Sequence, residues 1–258
     1  MTTTRRGRRI AKTLLACAAL GLLLAACKNV GPMDALNPEG PIARRQHGLF
    51  VPVFWIAAAM FVLVEGGIVF AVLKFRDRRN AAAPVQIHGN TRLELGWTIA
   101  PAVLLGVIAI PVVVLIFSLA EVPRGPDVVH VRVTGHQWWW EYEYLDADPV
   151  VATANEMVIP TGRRIAIEVT SDDVIHSFWV PKLGGKQDAI PGRSNPLTLV
   201  ADKTGTYYGQ CAEFCALSHA NMKLRVVAMP PAEFDRWLAG QQRPAAVPPT
   251  GAAAQGAT

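Results

Sequence analysis

A cluster of sulfur and nitrogen side chains lies near the C-terminal end of the sequence, in the run Cys211-Ala-Glu-Phe-Cys215-Ala-Leu-Ser-His219-Ala-Asn-Met222. Zinc and copper both accept thiolate and imidazole ligands, but zinc gains little from a thioether, so Met222 favours copper. A second imidazole, His176, stands upstream where a predicted strand ends in a loop. Two Cys and two His can serve two metal ions. Thiolates that bridge a copper pair would let the pair share one unpaired electron, which indicates a site that passes single electrons.

A disulfide is the main alternative for the two cysteines of this run. Cys211 and Cys215 belong to a segment that we predict below to lie outside the cytoplasm, where disulfides persist. A disulfide explains neither His219 nor Met222, although each of these, taken alone, is more often an ordinary loop or core residue. The four residues as a group therefore favour a metal site.

The N-terminus has the features of an export signal. Residues 1–27 carry several arginines, then an apolar stretch, and end in Leu24-Ala-Ala-Cys27. This ending resembles a bacterial lipoprotein signal, in which Cys27 would be lipidated and become the new N-terminus. A plain signal peptide or an uncleaved helix is the alternative. Residues 28–47 are then predicted to be an extracytoplasmic segment.

Two apolar stretches predict a transmembrane hairpin over residues 48–120. The spans, at about 49–73 and 97–119, are each long enough to cross a hydrocarbon core of roughly 30 Å. Basic residues in a short connecting loop mark the cytoplasmic side, and this loop contains five of them: Lys74, Arg76, Arg78, Arg79 and Arg92. We therefore expect a multi-pass protein of the bacterial cell membrane, with everything after the second span outside the cytoplasm.

Residues 121–240 have the pattern of a small β domain. Short β-rich runs occur at 128–134, 138–144, 164–170 and 223–228, and they predict a sandwich or barrel. Gly192, Gly205 and Gly209 are predicted to mark turns. The tail, residues 241–258, is rich in Ala, Pro and Gly, and we predict that it is disordered.

The charge of this β domain differs in sign from that of the whole chain. The chain has a net charge of +5, whereas residues 121–240 contain 15 acidic and 11 basic side chains. An acidic face would attract a basic protein partner, and no nucleic acid is expected to bind. The sequence leaves open whether the face exists or the surface is normally solvated. The acidic residues in question are Glu143, Asp146, Asp148, Asp172 and Asp173.

One predicted strand is unusually rich in aromatic residues, with the sequence GHQWWWEYEY from residue 135 to residue 144. Side chains alternate along a strand, so Trp138, Trp140, Tyr142 and Tyr144 fall on one side and Trp139 on the other. These rings can fill the core and contact the membrane surface, where Trp and Tyr are common. An exposed tryptophan near copper is also a candidate for the point that receives electrons.

The motifs together resemble those of a known family, subunit II of the haem-copper cytochrome c oxidases. The resemblance covers about Gly48 to Gly240 and rests on the two-helix hairpin followed by four motifs in the family's order, namely GHQWWWEYEY, DVIHSFWVP, DAIPGRSN and YYGQCAEFCALSHANM. It implies a transmembrane hairpin followed by an extracytoplasmic cupredoxin-like β-barrel that carries CuA, a dinuclear copper centre. The ligands it implies are His176, Cys211, Cys215, His219, Met222 and the backbone carbonyl of Glu213.

The resemblance implies roles for three further side chains. The Glu213 carboxylate would help to hold a magnesium ion at the contact with subunit I, Trp138 would receive the electrons, and Glu94 would lie at the mouth of a proton channel of subunit I. This sequence departs from the family's usual loop at Ala212 and Ala216, where serine and glycine are common. Ala216 is expected to alter the turn, because glycine accepts a positive φ and alanine resists it.

The function implied by the resemblance is electron input to a membrane oxidase. Cytochrome c would reduce the copper centre, and subunit I, with the other oxidase subunits, would reduce oxygen to water and translocate protons. A quinol oxidase subunit is disfavoured because that branch lacks the copper ligands. Two alternatives stay open, the CuA subunit of a nitric oxide reductase and a copper-carrying assembly lipoprotein. No Cys-x-x-Cys-His haem-attachment motif occurs in the sequence, so no fused cytochrome is expected.

Overall fold

The computed structural model of the chain describes residues 21, 31–76, 86 and 89–242. Apart from Gly21, the predicted signal peptide with Cys27 lies outside the described residues, as do part of the basic loop and residues 243–258 of the predicted disordered tail.

Two long apolar helices come first, α1 (Pro41–Lys74) and α2 (Thr91–Ala120), and both are long and apolar enough to cross a membrane. Helix α1 begins well before the predicted span, because Pro41 occupies the first turn, where its fixed φ suits a helix and its missing N–H costs nothing. Asn90 caps the start of helix α2, because its side chain accepts hydrogen bonds from the backbone N–H groups of Arg92 and Leu93.

The remainder forms a β domain of two five-stranded sheets, followed by a short helix, α3 (Pro231–Gln241). One sheet has the strand order β3-β2-β1-β5-β8 and the other has the order β4-β10-β9-β6-β7. Most neighbouring strands are antiparallel, whereas β1 and β5, and β4 and β10, are parallel. The strands are β1 (Val129–His136), β2 (Trp139–Tyr144), β3 (Val151–Ala154), β4 (Glu156–Pro160), β5 (Ile165–Ser171), β6 (His176–Val180), β7 (Gly184–Ala189), β8 (Asn195–Leu199), β9 (Gly205–Cys211) and β10 (Lys223–Met229).

The core lies between the two sheets and is built partly from the aromatic strand. In β2 the alternation is as predicted, since Trp140, Tyr142 and Tyr144 are fully buried. Trp138 lies in the turn before β2 and is partly buried, while Trp139 stacks on His136 at 4.4 Å between ring centroids. Each buried aromatic ring removes a large apolar area from water, so this strand contributes strongly to the stability of the domain.

The turn prediction for Gly209 is wrong. Gly192 and Gly205 do have positive φ values, of 75° and 151°, but Gly209 lies inside β9. A Cβ at Gly209 would lie 2.4 Å from the carbonyl oxygen of Trp179 on the neighbouring strand β6. Glycine is therefore needed there for the close approach of two strands, and both of those strands lead to the candidate site described below.

The segment before α1 is attached to the β domain by backbone and side-chain contacts. The N–H of Glu39 donates to the Lys182 carbonyl at 2.8 Å, and the Glu39 carboxylate lies 2.9 Å from the Lys182 ammonium. The N–H of Asp202 donates to the Glu39 carbonyl at 3.2 Å. Gly40 is buried here, and a Cβ on it would lie 2.3 Å from the Val200 carbonyl oxygen. The base of the β domain is thus held against the start of the first helix.

The acidic residues singled out in the sequence mostly have partners within the chain. Glu143 lies 3.2 Å from Arg132, and Asp146 lies 3.0 Å from His130. Asp172 lies 3.8 Å from His136, and Asp173 lies 2.8 Å from His176. An exposed pair such as Glu143–Arg132 contributes little to stability. The Arg132 guanidinium offsets the charge of Glu143, and the acidic docking face stays a prediction.

Candidate metal centre

Three chain segments converge at one end of the β domain. Cys211 is the last residue of β9, Met222 directly precedes β10, and these two strands pair antiparallel, so the ten residues between them form a closed loop. The N–H of Cys211 donates to the Met222 carbonyl at 3.0 Å and fixes the base of this loop. His176 is the first residue of β6, which lies beside β9 in the sheet. The sheet therefore brings His176 to the two cysteines across 35 residues of sequence.

The two sulfur atoms form the middle of the cluster. Cys211 Sγ lies 3.8 Å from Cys215 Sγ and 3.8 Å from Nδ1 of His176. On the other side, Cys215 Sγ lies 3.6 Å from Nδ1 of His219 and 3.8 Å from Sδ of Met222. A disulfide would bring the sulfurs to roughly 2.05 Å, and both thiols are free. The two cysteines are therefore not cross-linked in the structure, and with His176 they form a group that could hold a metal ion.

The Glu213 backbone also points into the site. Its carbonyl oxygen lies 3.2 Å from Cys211 Sγ, whereas the residue as a whole is exposed to solvent. The loop therefore directs the carbonyl inward while the side chain remains available on the surface.

Nearly all of the donor atoms are shielded from water. His176 and Met222 are fully buried, Cys211 and Cys215 are 3% and 2% exposed, and His219 is partly buried. A buried thiolate is costly unless a cation or hydrogen bonds compensate for it. The six ligands predicted from the sequence are all brought together, with a nitrogen donor on each side of the thiol pair. By its chemistry this donor set would suit copper, because zinc would leave the Met222 thioether without a role.

Interactions within the cluster shift the pKa values of the two thiols in opposite directions. Burial acts to raise the pKa of Cys211, but hydrogen bonding with His176 and the backbone outweighs it, and the pKa falls to about 6. Burial and the neighbouring Cys211 charge raise the pKa of Cys215 to about 12. Burial lowers the pKa of His176, but its contacts with Cys211 and Asp173 outweigh this and raise it. The metal-free site therefore holds one thiolate beside one thiol.

We expect copper affinity to increase with pH between about 7 and 9, because the Cys215 thiol must lose its proton before it can bind a metal. Its pKa of about 12 lies above this whole range, so the metal-free protein holds that proton throughout and binding must release it. One released proton corresponds to roughly a tenfold gain in affinity per pH unit. Competition against a chelator of known pH dependence measures this slope, and an affinity that does not change with pH would contradict it.

Trp138 connects the outer surface with the metal loop. Its indole Nε1–H donates to the Cys215 carbonyl at 2.8 Å, and the side-chain amide of Gln137 donates to the same oxygen at 3.1 Å. The turn before β2 is thus hydrogen-bonded to the residue that carries the second thiol. Trp138 is partly exposed and Gln137 is exposed, so both reach from the site to solvent.

Two residues that position His176 were not recognised from the sequence. Asp173 Oδ1 lies 2.8 Å from His176 Nε2, and the Asp173 carboxylate also accepts from the Gln137 and Val174 N–H groups at 2.6 Å each. This carboxylate fixes the imidazole so that Nδ1 faces the sulfurs. Gly135 lies behind the same ring, where a Cβ would come within 2.8 Å of it. A carboxylate three residues before a candidate ligand was the available signal for Asp173.

The predicted strain at Ala216 is present, since this residue has a φ of 82°. We expect Ala216→Gly to increase the free energy of unfolding by a net amount of about 0.5–1 kcal/mol. Relief of the left-handed conformation gains about 1–2 kcal/mol, and the extra backbone entropy that glycine loses on folding costs about 0.5–1 kcal/mol. Denaturant unfolding of the metal-free protein measures this effect. The control is Ala220→Gly, at an exposed position whose φ is not positive, which we expect to be neutral or destabilising. Equal effects of the two substitutions would contradict the strain argument.

The other candidate residues lie apart from this cluster. Glu94 is in the first turn of α2, where its carboxylate accepts the Asn90 N–H at 3.2 Å. That end of the 30-residue helix is roughly 45 Å of helix length away from the end that meets the β domain. Cys27 lies outside the described residues.

Comparison with known proteins identifies the family. Residues 35–115 match the family described as cytochrome c oxidase subunit II, transmembrane domain, and residues 147–229 match cytochrome c oxidase subunit II, periplasmic domain. A cytochrome c oxidase subunit 2 of Alkalihalophilus pseudofirmus is 35% identical over 237 residues, which cover 90% of this chain and 69% of that protein. The chain belongs to the cytochrome c oxidase subunit II family.

Further relatives of the subunit II family span distant organisms. A cytochrome c oxidase subunit 2 of Arabidopsis thaliana is 32% identical over 83% of this chain and 94% of its own length. The crystal structure of the periplasmic domain of subunit II of cytochrome oxidase from Bradyrhizobium japonicum is 36% identical, with a TM-score of 0.44, and it covers 47% of this chain and 97% of that one. Members of this family are subunits of the haem-copper oxidase complex, an oxidoreductase.

Proposed function

We propose that the chain is the electron-input subunit of a cytochrome c oxidase, accepting electrons from cytochrome c and passing them to the haem-copper centre of subunit I. Subunit I would then reduce oxygen to water and translocate protons. The observation that carries this proposal is the buried cluster in which two thiols lie 3.8 Å apart with an imidazole on each side. Such a cluster suits one-electron transfer better than hydrolysis, which needs an open coordination position for water.

The side chains of the cluster would act as the ligands of the copper pair. His176 and Cys211 would bind from β6 and β9, while Cys215, His219, Met222 and the Glu213 carbonyl would bind from the loop. When bound, a dinuclear copper centre supplies a one-electron acceptor and donor whose charge change is spread over two metal ions. The buried ligands exclude water, and Asp173 and Gly135 hold the His176 ring in place.

Trp138 would receive the electrons. Its ring is partly exposed on one side, and its Nε1–H donates to the carbonyl of a ligand residue on the other. The donor would therefore bind against the turn before β2, where Trp138 and Gln137 both connect solvent to the Cys215 carbonyl. Phe214 and Leu217, on the metal loop itself, are highly exposed apolar side chains, and we assign them to protein contacts of the assembled oxidase.

Four further assignments complete the proposal. The exposed Glu213 carboxylate would help to bind magnesium at the contact with subunit I. Glu94 would lie at the mouth of a proton channel of subunit I, and Cys27 would be lipidated after removal of the signal peptide. The two spans would cross the bacterial cell membrane with the β domain on the extracytoplasmic side, which agrees with the basic residues between the spans.

The test combines electron paramagnetic resonance, a copper count and electron transfer on the full chain. We expect about two copper ions per chain, a hyperfine pattern from one electron shared by two copper nuclei, and oxidation of one reduced cytochrome c per centre without oxygen. A single-copper or silent spectrum would contradict the proposal. Copper that a chelator removes rapidly would instead support the assembly lipoprotein. The assembled complex, assayed with oxygen and with nitric oxide, separates the oxidase from the nitric oxide reductase.

A further inference from the structure

A large cavity lies where the two helices meet the β domain, away from the metal centre. It has a volume of about 820 Å³ and is bounded by the start of α1, the end of α2 and the edge formed by β5 and β8. Pro41, Ile42, Leu119 and Val122 supply apolar walls, and Arg45, Arg124 and Arg164 supply guanidinium groups. A volume of this size is within the range of ligand-binding pockets.

The three arginines of this cavity lack carboxylate partners. Among the described residues, no carboxylate oxygen lies within 4.0 Å of their guanidinium groups, whereas four other arginines, Arg44, Arg132, Arg163 and Arg225, have such partners. Arg45 Nη2 donates to the Ser118 hydroxyl at 2.5 Å, which holds its side chain beside the end of α2. Glu121 is the one acidic residue that lines the cavity, so the formal charge of its wall is positive.

The position of the cavity along the helices corresponds to the headgroup layer of a membrane. Arg45 is four residues, or roughly 6 Å, before the apolar stretch of α1 that begins at Leu49, and Ser118 is in the last turn of α2. A lipid bilayer has a polar headgroup region of several ångströms on each side of its hydrocarbon core. With both helices spanning a bilayer, Arg45 would lie at the depth of the lipid phosphates, and Arg124 and Arg164 line the same cavity.

A second cavity continues from the first toward the apolar surface of the helices. It has a volume of about 300 Å³ and shares Ile42, Leu119 and Thr198 with the first cavity. Ile116, one turn deeper on α2, and Leu197 on β8 supply apolar walls, while Gln46, Lys186 and Gln187 add polar groups. A free phosphate ion would leave the apolar walls uncovered, whereas the glycerol and upper acyl carbons of a lipid would pack against them.

We propose that this cavity binds the phosphate group of a phospholipid, with the arginines on the phosphate oxygens and the lipid chains leaving past Ile42 and Ile116. Guanidinium groups bind phosphate through paired, charge-assisted hydrogen bonds, which are stronger than neutral ones. The bound lipid would fill the gap between the membrane spans and the β domain. The proposal is independent of the copper chemistry and stands if the metal assignment fails.

The test is native mass spectrometry of the full chain in non-ionic detergent, after delipidation and addition of defined lipids. The probes are phosphatidylglycerol, diacylglycerol with the same chains, and inorganic phosphate as a competitor. The variant is Arg124→Gln with Arg164→Gln, and the matched control is Lys203→Gln with Arg236→Gln, which removes two exposed positive charges elsewhere on the β domain. Circular dichroism and the copper count of each variant report whether it has folded.

We expect one phosphatidylglycerol to be retained per parent chain, with about a tenfold or greater loss of affinity in the Arg124/Arg164 variant and little change in the control. Diacylglycerol should bind much more weakly. If the variant retains as much phosphatidylglycerol as the parent, the arginines do not bind the phosphate and the site is wrong. If diacylglycerol binds as tightly as phosphatidylglycerol, the lipid is held by apolar contacts alone and the proposed phosphate site is also wrong. If inorganic phosphate binds as tightly as phosphatidylglycerol, the ligand of the cavity is free phosphate and the lipid proposal is wrong.

A last outcome concerns the assembled oxidase. One result would overturn the lipid proposal: the complex contains no lipid whose retention requires Arg124 and Arg164, and the double variant loses a neighbouring subunit. An acidic protein segment would then occupy the cavity. Retention of one such lipid in the complex supports the lipid proposal.

Discussion

Replacing Cys215 with serine is expected to abolish the shared-electron copper signal and to reduce the copper content from two ions per chain to one or none. Cys215 Sγ contacts three other donors, namely the Cys211 sulfur, Nδ1 of His219 and Sδ of Met222, at 3.6–3.8 Å. A serine hydroxyl is a harder donor that does not ionise at neutral pH, so it cannot bridge two copper ions. Electron paramagnetic resonance and a metal count on the same sample measure this change.

Thermal unfolding gives a second measure of the same substitution. A metal that binds only the folded state raises the unfolding temperature, so copper should stabilise the parent strongly and the Cys215→Ser variant much less. Cys215 is 2% exposed, and the metal-free variant must be shown to fold before the comparison is made. A shared-electron spectrum in Cys215→Ser would refute the bridging assignment.

Met222→Leu is the matched control for the sulfur substitution. Met222 is fully buried, and leucine has a similar volume, so the substitution should cost less than about 1.5 kcal/mol of stability. Both thiols remain, and we therefore expect the shared-electron pattern to persist while the redox potential changes. The contrast between the two variants separates the bridging sulfurs from the terminal one.

Trp138→Phe is expected to slow the reduction of the copper centre by cytochrome c while leaving the copper spectrum in place. Phenylalanine keeps an aromatic ring at the surface but loses the Nε1–H that donates to the Cys215 carbonyl at 2.8 Å. Tryptophans at the centre of a protein contact often contribute about 2 kcal/mol or more, so we expect the second-order rate constant to fall on the order of tenfold. Stopped-flow oxidation of reduced cytochrome c measures it.

Trp139→Phe is the control for this experiment, because it changes the neighbouring tryptophan. Trp139 stacks on His136 and makes no hydrogen bond to the metal loop among the described residues. Its rate constant should stay close to that of the parent. Equal slowing in both variants would mean that the whole surface, and not the Trp138 contact, controls the reaction.

The sequence was sufficient for the parts of this protein that depend on local pattern. The apolar spans follow from length and composition, and the burial of Trp140, Tyr142 and Tyr144 follows from strand alternation. The ligand loop was recognisable because Cys211, Cys215, His219 and Met222 are close together in sequence. His176, which is 35 residues from Cys211, was a candidate second imidazole from its residue type, and the resemblance to a family then added it to the ligand set.

Features that depend on the packing of distant strands were not predictable. The role of Gly209 reflects the approach of β6 to β9, which no pattern within β9 reveals, so a glycine inside a strand was mistaken for a turn. Asp173 was noted only as part of an acidic surface, although its position three residues before His176 was an available signal; the bend between β5 and β6 brings its carboxylate to the ring. The arginine-lined cavity joins residues of both helices with Arg164, directly before β5, and Thr198 of β8, and these meet only in the folded chain.

Gly40 gives the protein a mechanical property as well as a contact. With no side chain, it lets the start of α1 press against the Val200 carbonyl, and Glu39 binds the same part of the β domain through Lys182 and Asp202. These contacts fix the orientation of the β domain relative to the apolar helices, which a flexible linker would not do. A bulkier residue at position 40 would change this orientation and misalign the protein with its neighbours, although every proposed copper ligand would be intact. Such a defect would appear as failed assembly of a fully metallated subunit.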